Sequence, residues 1–541
     1  MTKTHDTEKE KKTLRSLTQE FAVLEDLIRE GGGKRGQERQ HKLGRLLARE
    51  RIELLLDEGS KSFEMGLWAA YRMYKEWGDV PAAGTIAVLG KVCQREVLII
   101  ANDATVKAGA FFPQTVKKLI RAQRLAYACR LPIIYLVDSA GVFLPLQDEI
   151  FPDEDDFGRI FRNNSVLSAH GIPQIAAVMG NCIAGGGYLP VLCDKLLMTE
   201  GSGLYLAGPA LVKAAIGQVV DAEDLGGASM HSEISGTVDF HEPDDESCIR
   251  RIRALVDMLP HDPESQASET RSKRPVEDVY DIVSVEGNKP YDMRDLLNCI
   301  VDINSFEEYK AKFGMTLVCG YAKIGGFPVG IVANQRQPTQ SKKSGIEIGG
   351  VIYKESADKA ARFVMDCNQS LVPIVFIQDV VGFMVGKTAE ESGIIRSGAK
   401  LVSAMSNSIV PKLTVVVGNS FGAGNYALCG KAYDPTFITA WPNSKYSVMG
   451  ADQAANTLFS VQKKAAEKRG KKMTEEELET MHQEINAAYL RHMDIRYGAA
   501  RGWVDAIIQP HLTRDHLITQ LRLVGRRKPE AGQFHTGVLQ V

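Results

Sequence analysis

The 541-residue sequence is too long for one typical domain, and its 44% hydrophobic and 24% charged residues are typical of an ordinary soluble globular protein. The formal net charge of −2 excludes an overall attraction to nucleic acid or membrane surfaces. Nine cysteines occur without a C-x-x-C pair, and no apolar run approaches the roughly 20 residues that span a bilayer. We therefore expect a cytoplasmic protein without a disulfide framework, a metal site or a membrane-inserted segment.

Two helices are predicted before the first sheet. Apolar residues from Leu14 to Ile28 recur every three or four positions, which indicates one buried helix face. The glycine-rich run Gly31–Gln37 is expected to end that helix, and a strongly amphipathic helix is predicted over Lys42–Ser60. The polar face of this second helix is either solvated or contacts a phosphate. The candidates for a phosphate contact are Arg45, Arg49 and Arg51.

From about residue 84 the sequence alternates short apolar strands with helices. In chain order the predicted elements are the hairpin strands GTIAVLGKV and REVLIIAND, the helix TVKKLIRAQRLAYACR, the strand LPIIYLVDSAG, the helix FGRIFRNNSVLSAHG and the strand PQIAAVMG. A glycine-rich stretch, Gly180–Tyr188 (GNCIAGGGY), follows the last strand directly. This alternation predicts an α/β fold with a parallel component.

The same order of elements returns after Asp262–Asp278, a polar segment that is the best candidate for a domain boundary. Three pairs of residues are each 241 positions apart: Pro132 and Pro373, Asp138 and Asp379, Gly141 and Gly382. The stretch Gly180–Tyr188 recurs 238 positions later as Gly418–Tyr426, GNSFGAGNY. We therefore predict two domains of one fold, residues 1–270 and 275–541, each with an equivalent site.

A charged helix is predicted near the C-terminus, over Thr474–His492. Thr474 is a plausible N-cap because the sequence TEEE places a glutamate three residues later. The last sixteen residues, RRKPEAGQFHTGVLQV, are expected to form a loosely held tail.

Small residues directly after a buried strand let the backbone turn sharply and let a ligand approach its N–H groups. If a helix begins there, its first N–H groups can stabilise an oxygen that carries negative charge. A thioester that loses a proton becomes such an enolate, and each preorganised donor contributes on the order of 3 kcal/mol. The alternative is a tight turn needed only for packing, but two matched stretches favour two oxyanion sites. The candidate donors are Ala184, Gly185 and Gly186 in the first stretch, and Gly422, Ala423 and Gly424 in the second.

A competing hypothesis is a serine hydrolase. The segment GNSFG at Gly418–Gly422 matches G-x-S-x-G and lies between a predicted strand and a predicted helix. Ser420 would be the nucleophile, but the first stretch has Cys182 at the equivalent position, as though only a small side chain were required. Five histidines could serve as its base: His482, His492, His511, His516 and His535. Neither stretch has the G-x-G-x-x-G order of a dinucleotide-binding loop.

Over about residues 40 to 505 the chain resembles the carboxyltransferase (β) subunits of biotin-dependent acyl-CoA carboxylases. The resemblance rests on motifs in the family's order, among them LLARERIELLLDEGS, IANDATVKAGAFFPQTVKK, IYLVDSAGVFLP, GNCIAGGGYLP, QDVVGFMVG and PKLTVVVGNSFGAGNYALCGKAYDP. NDATVK, QDVVGFMVG and FGAGNYALCG are most similar to methylcrotonoyl-CoA carboxylase β subunits. The resemblance implies two tandem crotonase-like domains of the ClpP/crotonase, ββα superhelix type.

The resemblance also implies a hexamer whose active sites lie between the N domain of one subunit and the C domain of another. The amides at 184–186 would hold the thioester oxygen of an acyl-CoA, and those at 422–424 the ureido oxygen of carboxybiotin. Carboxybiotin would release CO2, and its freed nitrogen would take the substrate proton. No Met-Lys-Met biotinylation signal and no glycine-rich nucleotide loop occur, which implies a biotin carboxylase/biotin carrier subunit as partner. Weaker candidates for coenzyme A contacts are Lys107, Gly109, Arg45 and Arg49.

One segment departs from this pattern. QRQPTQSKKSGIEI, residues 335–348, is longer than expected for methylcrotonoyl-type subunits. Together with IGG, FRNN and AGGGY it also resembles the glutaconyl-CoA decarboxylase α subunit. That enzyme runs the transfer in reverse and is coupled to a sodium-pumping membrane partner. DSAGVF also replaces the DSGGA-type sequence usual in the family. The alternatives are thus carboxylation of methylcrotonoyl-CoA or a related short-chain acyl-CoA, and decarboxylation of a carboxylated acyl-CoA.

Overall fold

Two eight-stranded sheets organise the chain, one within residues 63–242 and the other within residues 307–507. The computed structural model describes residues 13–259, 270–287, 289–341, 345–450, 456–460 and 474–525. In the described part of the chain, no helix combines the length and hydropathy needed to cross a bilayer.

The first half contains ten α-helices and eight strands among the described residues. The helices are α1 Leu14–Arg29, α2 Gly33–Lys42, α3 Ala48–Leu55, α4 Pro113–Cys129, α5 Phe157–Ala169, α6 Tyr188–Val191, α7 Pro209–Ile216, α8 Ala222–Gly226, α9 Ala228–Glu233 and α10 Asp245–Asp257. The strands are β1 Phe63–Met65, β2 Thr85–Val92, β3 Arg95–Asn102, β4 Ile133–Ser139, β5 Gln174–Ile183, β6 Lys195–Thr199, β7 Gly203–Tyr205 and β8 Phe240–Glu242.

The second half repeats this pattern with additional strands. Its labelled helices are α11 Val279–Ile282, α12 Met293–Ile300, α13 Lys354–Gln369, α14 Lys387–Ser392, α15 Ile394–Ser406, α16 Gly422–Ala427, α17 Glu475–Met493, α18 Ile495–Ala500 and α19 Thr513–Val524. Residues 456–460 are also helical. Its strands are β9 Glu307–Tyr309, β10 Leu317–Ile324, β11 Phe327–Asn334, β12 Thr339–Ser341, β13 Gly345–Glu347, β14 Val351–Ile352, β15 Ile374–Val380, β16 Gly382–Phe383, β17 Lys412–Phe421, β18 Phe437–Ala440, β19 Lys445–Ser447 and β20 Ala506–Ile507.

The two sheets have the same topology. The first has the order β1-β2-β3-β4-β5-β6-β8 with β7 beside β5, and the second has β9-β10-β11-β15-β17-β18-β20 with β19 beside β17. In both, an antiparallel hairpin precedes strands that pair in parallel. The central strands are buried along almost their whole length, so they read as continuous apolar runs. The predicted α/β fold and both hairpins are confirmed.

A nine-residue difference separates the halves between the hairpin and the next strand. Asn102 and Asn334, which end β3 and β11, are 232 positions apart, whereas Asp138 and Asp379 are 241 apart. The second half accommodates the extra residues in the β12–β13 pair, where Thr339 lies opposite Glu347. The unexpectedly long segment 335–348 is therefore an insertion relative to the first half of the same chain.

The two halves share a hydrophobic core. Buried residues of the first half, such as Leu98 and Leu119, belong to one cluster with Ile324 and Val329 of the second half. The ring of Phe21 on α1 lies in another cluster that also contains second-half residues. Each half therefore buries apolar surface against the other. The domain boundary expected between residues 270 and 275 stays a prediction.

Near the N-terminus, α1 ends at Arg29, just before the run Gly31–Gln37, as predicted. The expected position of the next helix is wrong, since α2 already begins at Gly33, within that run. Gly31 and Gly33 have φ of +60° and +70°, so the chain turns within two residues and continues as a helix. Of the helix predicted over Lys42–Ser60, Lys42 ends α2, Ala48–Leu55 form α3, and the other residues are not helical.

The remaining predictions differ in outcome. Thr474 caps α17, and its Oγ1 accepts the N–H of Glu477 at 3.2 Å, as the capping box predicts. Residues 262–269 of the predicted linker and the predicted tail, residues 526–541, lie outside the described residues.

Candidate functional site

The first glycine-rich stretch, Gly180–Tyr188, spans the end of β5 at the carboxyl edge of the first sheet. Residues Ala184–Gly187 form a 3₁₀ turn, and α6 follows at Tyr188 without a side-chain cap. The first N–H groups of a helical turn have no acceptor within that turn. The candidate donors Ala184, Gly185 and Gly186 therefore lie in this turn, directly after a central strand.

The second stretch has the same arrangement at the end of β17. Here α16 begins at Gly422, again without a side-chain cap, so 422–424 supply the first-turn N–H groups. Gly422 has φ of +54°, and a Cβ there would lie 2.9 Å from the carbonyl oxygen of Val448. A Cβ on Gly424 would lie 2.4 Å from Cγ2 of Val380. Side chains larger than hydrogen are excluded at both positions.

A buried carboxylate packs beneath each glycine-rich stretch. A Cβ on Gly180 would lie 2.1 Å from Cγ of Asp138, and one on Gly418 would lie 2.5 Å from Cγ of Asp379. The backbone N–H of the following residue donates to the same carboxylate in both halves. Asn181 donates to Asp138 Oδ1 at 3.1 Å, and the equivalent bond in the second half is 2.9 Å long. These aspartates are the repeat-related pair identified in the sequence.

Each aspartate is accompanied by an arginine. Nη1 of Arg51 lies 3.8 Å from Asp138 Oδ2, while its Nε donates to Asp245 Oδ2 at 2.8 Å. Nε of Arg336 lies 3.0 Å from Asp379 Oδ2. Burial raises the pKa of both aspartates, and the arginines oppose that rise. The phosphate contact considered for Arg51 is excluded because its side chain is only 2% exposed and is bound to carboxylates.

Gly109 has a packing role that the resemblance did not suggest. Its φ is +67°, and a Cβ there would lie 2.1 Å from the carbonyl oxygen of Asp138. Gly350, 241 positions later, has φ of +78°, and its Cβ would lie 3.2 Å from the carbonyl oxygen of Asp379. The glycine is therefore needed for close approach in both halves, and a coenzyme A contact at Gly109 stays a prediction.

The basic candidates for coenzyme A binding differ in their present partners. Lys107 is exposed, and its Nζ donates to the carbonyl oxygen of Trp77. Arg45 is half-buried and donates from Nη2 to the Gly201 carbonyl oxygen at 2.8 Å. Arg49 forms a bidentate ion pair, and its two bonds to Glu64 are 2.9 and 3.0 Å long. The positive charges of Lys107 and Arg45 are therefore more available to a ligand than that of Arg49.

The serine-hydrolase hypothesis is wrong. Ser420 is 1% exposed, its Oγ donates to Gln378 Oε1 at 2.6 Å, and it accepts from Asn425 Nδ2 at 2.8 Å. Within the described ranges no histidine hydrogen-bonds to Ser420. The four described candidates contact other residues: His482 with Asn456, His492 with Tyr497, His511 with Tyr280, and His516 with Phe63. His535 lies outside the described residues.

Sequence reasoning missed the supporting role of Asp138 and Asp379. Both were visible as repeat markers, and the available signal was that each precedes its glycine-rich stretch by a similar distance, 42 residues from Asp138 to Gly180 and 39 from Asp379 to Gly418. Arg336 and Tyr291, whose Oη donates to Asp379 Oδ2 at 3.1 Å, carried no comparable signal. Among the described residues no group of three or more His, Cys, Asp or Glu side chains is arranged to hold a metal ion.

Comparison with known proteins identifies the family. The family model "Carboxyl transferase domain" matches residues 39–534. The chain is 45% identical over 488 residues to the biotin-dependent 3-methylcrotonyl-coenzyme A carboxylase beta1 subunit of Mycobacterium tuberculosis, covering 90% of this chain and 89% of the relative. It is 43% identical to the probable mitochondrial methylcrotonoyl-CoA carboxylase beta chain of Drosophila melanogaster, covering 94% and 89% of the two chains.

A solved structure agrees with these relatives. The beta subunit of P. aeruginosa geranyl-CoA carboxylase superposes with a TM-score of 0.85 at 32% identity, covering 100% of this chain and 99% of that one. The chain therefore belongs to the carboxyl transferase family. The predicted crotonase-like fold and the predicted enzyme class, an acyl-CoA carboxyltransferase of biotin-dependent carboxylases, are confirmed.

Proposed function

We propose that this chain transfers CO2 from carboxybiotin to methylcrotonoyl-CoA or a related short-chain acyl-CoA, as the carboxyltransferase subunit of a two-component carboxylase. The observation that carries this proposal is the duplicated turn. Two strands in equivalent positions, β5 and β17, each end in small residues with uncapped N–H groups. A reaction that uses two carbonyl oxygens needs two such sites.

In the proposed mechanism, the first turn holds the acyl-CoA. The N–H groups of Ala184, Gly185 and Gly186 point at the thioester oxygen and stabilise it when the substrate becomes an enolate. Because backbone donors are fixed before the reaction, they do not have to reorganise as charge develops. Lys107 and Arg45 supply positive charge for coenzyme A phosphates.

The second turn holds the biotin side of the reaction. The N–H groups of Gly422, Ala423 and Gly424 donate to the ureido oxygen, which gains electron density when CO2 departs. Carboxybiotin, attached to a biotin carboxylase/biotin carrier partner, supplies CO2 and a nitrogen base for the substrate proton. This chain therefore needs no ionisable side chain in contact with the reacting atoms, which fits the burial of Asp138 and Asp379.

A second copy of the chain is proposed to complete the site. Strand β7 pairs with β5 next to the first turn, and α7, which follows it, buries none of its residues. Leu206 is 65% exposed and Ile216 is 73% exposed. Val448, beside Gly422, is 76% exposed in the second half. Apolar surface of this kind beside both turns favours contact with another subunit, and a hexamer accommodates it.

The alternative to carboxylation is transfer in the reverse direction, from a carboxylated acyl-CoA to biotin. The inserted segment, whose strands β12 and β13 pair in this fold, is a feature that the chain was expected to share with glutaconyl-CoA decarboxylase α subunits. If the chain works in that direction, the same two turns bind a carboxylated acyl-CoA and free biotin. The donors and their roles are unchanged, so only the substrate distinguishes the two functions.

The test uses the purified chain with free biotin and a panel of malonyl-, methylmalonyl-, methylglutaconyl- and glutaconyl-CoA, with product masses as readout. Gly186→Pro and Gly424→Pro remove a donor in each turn and should abolish biotin-dependent loss of CO2. Gly158→Pro is the matched control, because its Cβ would meet nothing within 4 Å and it lies in the first turn of α5. Turnover of methylglutaconyl-CoA supports the carboxylase, and turnover of glutaconyl-CoA the decarboxylase. Biotin-independent thioester hydrolysis would refute the proposal.

A further inference from the structure

Both glycine-rich turns are preceded by the same irregularity in the sheet. Between the pairs Val137↔Val178 and Ser139↔Cys182, β4 advances by two residues while β5 advances by four. Asp138 is the β4 residue at this point. The regular ladder is interrupted there, and the carboxylate of Asp138, not a β4 carbonyl, accepts the N–H of Asn181.

The second half repeats the irregularity with the same residue type. Between Gln378↔Val416 and Val380↔Ser420, β15 advances by two residues while β17 advances by four. Asp379 is the residue between them, and it accepts an N–H of β17 at 2.9 Å. In each half, the last residues of the central strand are thus redirected around a carboxylate directly before the oxyanion turn.

Both halves contain the buried aspartate, although the arginines beside it come from different parts of the chain. Arg51 belongs to α3, near the N-terminus, whereas Arg336 lies two residues after the end of β11, in the inserted segment. A buried carboxylate is costly unless it is paired and hydrogen-bonded. Two unrelated parts of the chain therefore supply an arginine for the same purpose, which indicates that the carboxylate itself is required in both halves.

We propose that Asp138 and Asp379 are positioning residues, each of which sets the oxyanion turn for one substrate. This inference rests on the proposed function. Asp138 fixes Asn181, three residues before Ala184, and so orients the turn for the acyl-CoA thioester. Asp379 fixes Asn419, three residues before Gly422, and so orients the turn for biotin. Neither carboxylate touches a substrate; each acts through the backbone.

The two halves differ in how tightly the carboxylate is held. Asp379 is contacted by the guanidinium of Arg336 at 3.0 Å and by the hydroxyl of Tyr291 at 3.1 Å. Arg51 binds Asp245 and the Met179 carbonyl oxygen more closely than it approaches Asp138. Loss of Arg336 should therefore affect the biotin turn directly.

The experiment compares Asp138→Asn and Asp379→Asn in the full-length chain, with free biotin and the acyl-CoA that the wild type decarboxylates. Asparagine keeps the shape but removes the charge. Asp138→Asn should raise the KM for the acyl-CoA, or lower kcat, about tenfold or more, while the KM for biotin changes within about twofold. Asp379→Asn should give the opposite pattern. Thermal melting measures the structural cost separately.

A second pair of variants keeps the test decisive if either asparagine variant fails to fold. Arg336→Lys preserves a positive charge beside Asp379 and should retain more biotin-dependent activity than Arg336→Met, at an unchanged KM for the acyl-CoA. Variants that alter both KM values equally, or that lose stability without a selective kinetic change, would show that the carboxylates only hold the fold. A wild-type chain without biotin-dependent decarboxylation would overturn the proposed function instead.

Discussion

Lys118 and Lys359 stand 241 positions apart in the chain, and each inserts its ammonium group beneath the first strand of its hairpin. Nζ of Lys118 donates to the carbonyl oxygens of Thr85 and Ala82, the latter at 3.0 Å. Nζ of Lys359 donates to the carbonyl oxygen of Leu317 at 2.8 Å. Thr85 and Leu317 are the first residues of β2 and β10, so the duplication includes the polar anchor that ties α4 and α13 to their sheets.

The first prediction concerns the pH dependence that Lys118 gives to the stability of the fold. Burial lowers the pKa of Lys118 from 10.5 to about 7, so between these values the unfolded chain holds a proton that the folded chain does not. The free energy of unfolding should therefore rise with pH across this window. Lys118→Met should remove that part of the pH dependence, since methionine does not titrate.

Thermal or urea unfolding at pH 7.5 and pH 9.5 checks this expectation in the wild type and the variant. Lys387→Met, at a lysine whose side chain is 87% exposed, is the control and should leave the pH dependence unchanged. Equal pH dependence in the wild type and in Lys118→Met would mean that the buried ammonium stays charged in the fold.

Much of the fold follows from local patterns in the sequence. Strands buried on both faces read as apolar runs, and small residues mark the points where β5 and β17 turn into helices. The repeat then relates the two halves, which is why the glycine-rich stretches could be placed at equivalent strand ends. Each of these signals lies within a few residues of the structure that it predicts.

The remaining features depend on contacts between distant residues. Arg51 looked like one of several arginines on a solvated helix face, but its partner Asp245 lies 194 positions away. No periodicity encodes such a pair. The start of α2 at Gly33 depends in turn on Gly32, whose Cβ would lie 1.9 Å from the carbonyl oxygen of Thr105. Long-range packing of this kind becomes visible only in the folded chain.

The second prediction tests the close contact beneath the turns. Gly180→Ala and Gly418→Ala place a methyl group 2.1 and 2.5 Å from Cγ of a buried carboxylate, far inside van der Waals contact. Overpacking of this kind costs about 1–3 kcal/mol. Both variants should lose stability and also activity, because the displaced aspartate no longer holds the turn. Gly158→Ala, whose Cβ meets nothing within 4 Å, is the control and should be neutral or stabilising. Full activity in Gly180→Ala would contradict the assigned packing.

The third prediction separates Ser420 from a nucleophilic role. Ser420→Cys introduces the residue found at the equivalent position 182 of the first half, and the side chain stays small and buried. We expect biotin-dependent decarboxylation within about tenfold of the wild type, whereas loss of a catalytic serine costs on the order of a millionfold. Steady-state rates at saturating acyl-CoA measure the difference. A complete loss of activity in a variant that melts like the wild type would show that the Ser420 hydroxyl takes part in the reaction and would contradict this prediction.

The fourth prediction concerns the acid sensitivity of the contact between the halves. Asp505 accepts two bonds from Arg121 of the first half, at 2.7 and 2.8 Å, and one from Lys431 at 2.7 Å. Burial alone would raise the pKa of Asp505, but these cations hold it well below its ordinary value. A carboxyl group with a lowered pKa stabilises the fold at neutral pH, and that contribution is lost as the pH falls below about 4.

Asp505→Asn should therefore cost about 3–5 kcal/mol at pH 7, because Arg121 is left buried without a counter-charge, and the cost should shrink as the pH falls. Melting temperatures at pH 7, and at pH values from about 4 down to about 2, test both statements. Asp515→Asn removes a salt bridge to Lys61 on the surface, where the side chains are 49% and 74% exposed, and should cost less than about 1 kcal/mol at every pH. If the two variants behave alike, the charge of Asp505 does not hold the halves together, and apolar packing such as that of Phe63 against Phe437 must do so.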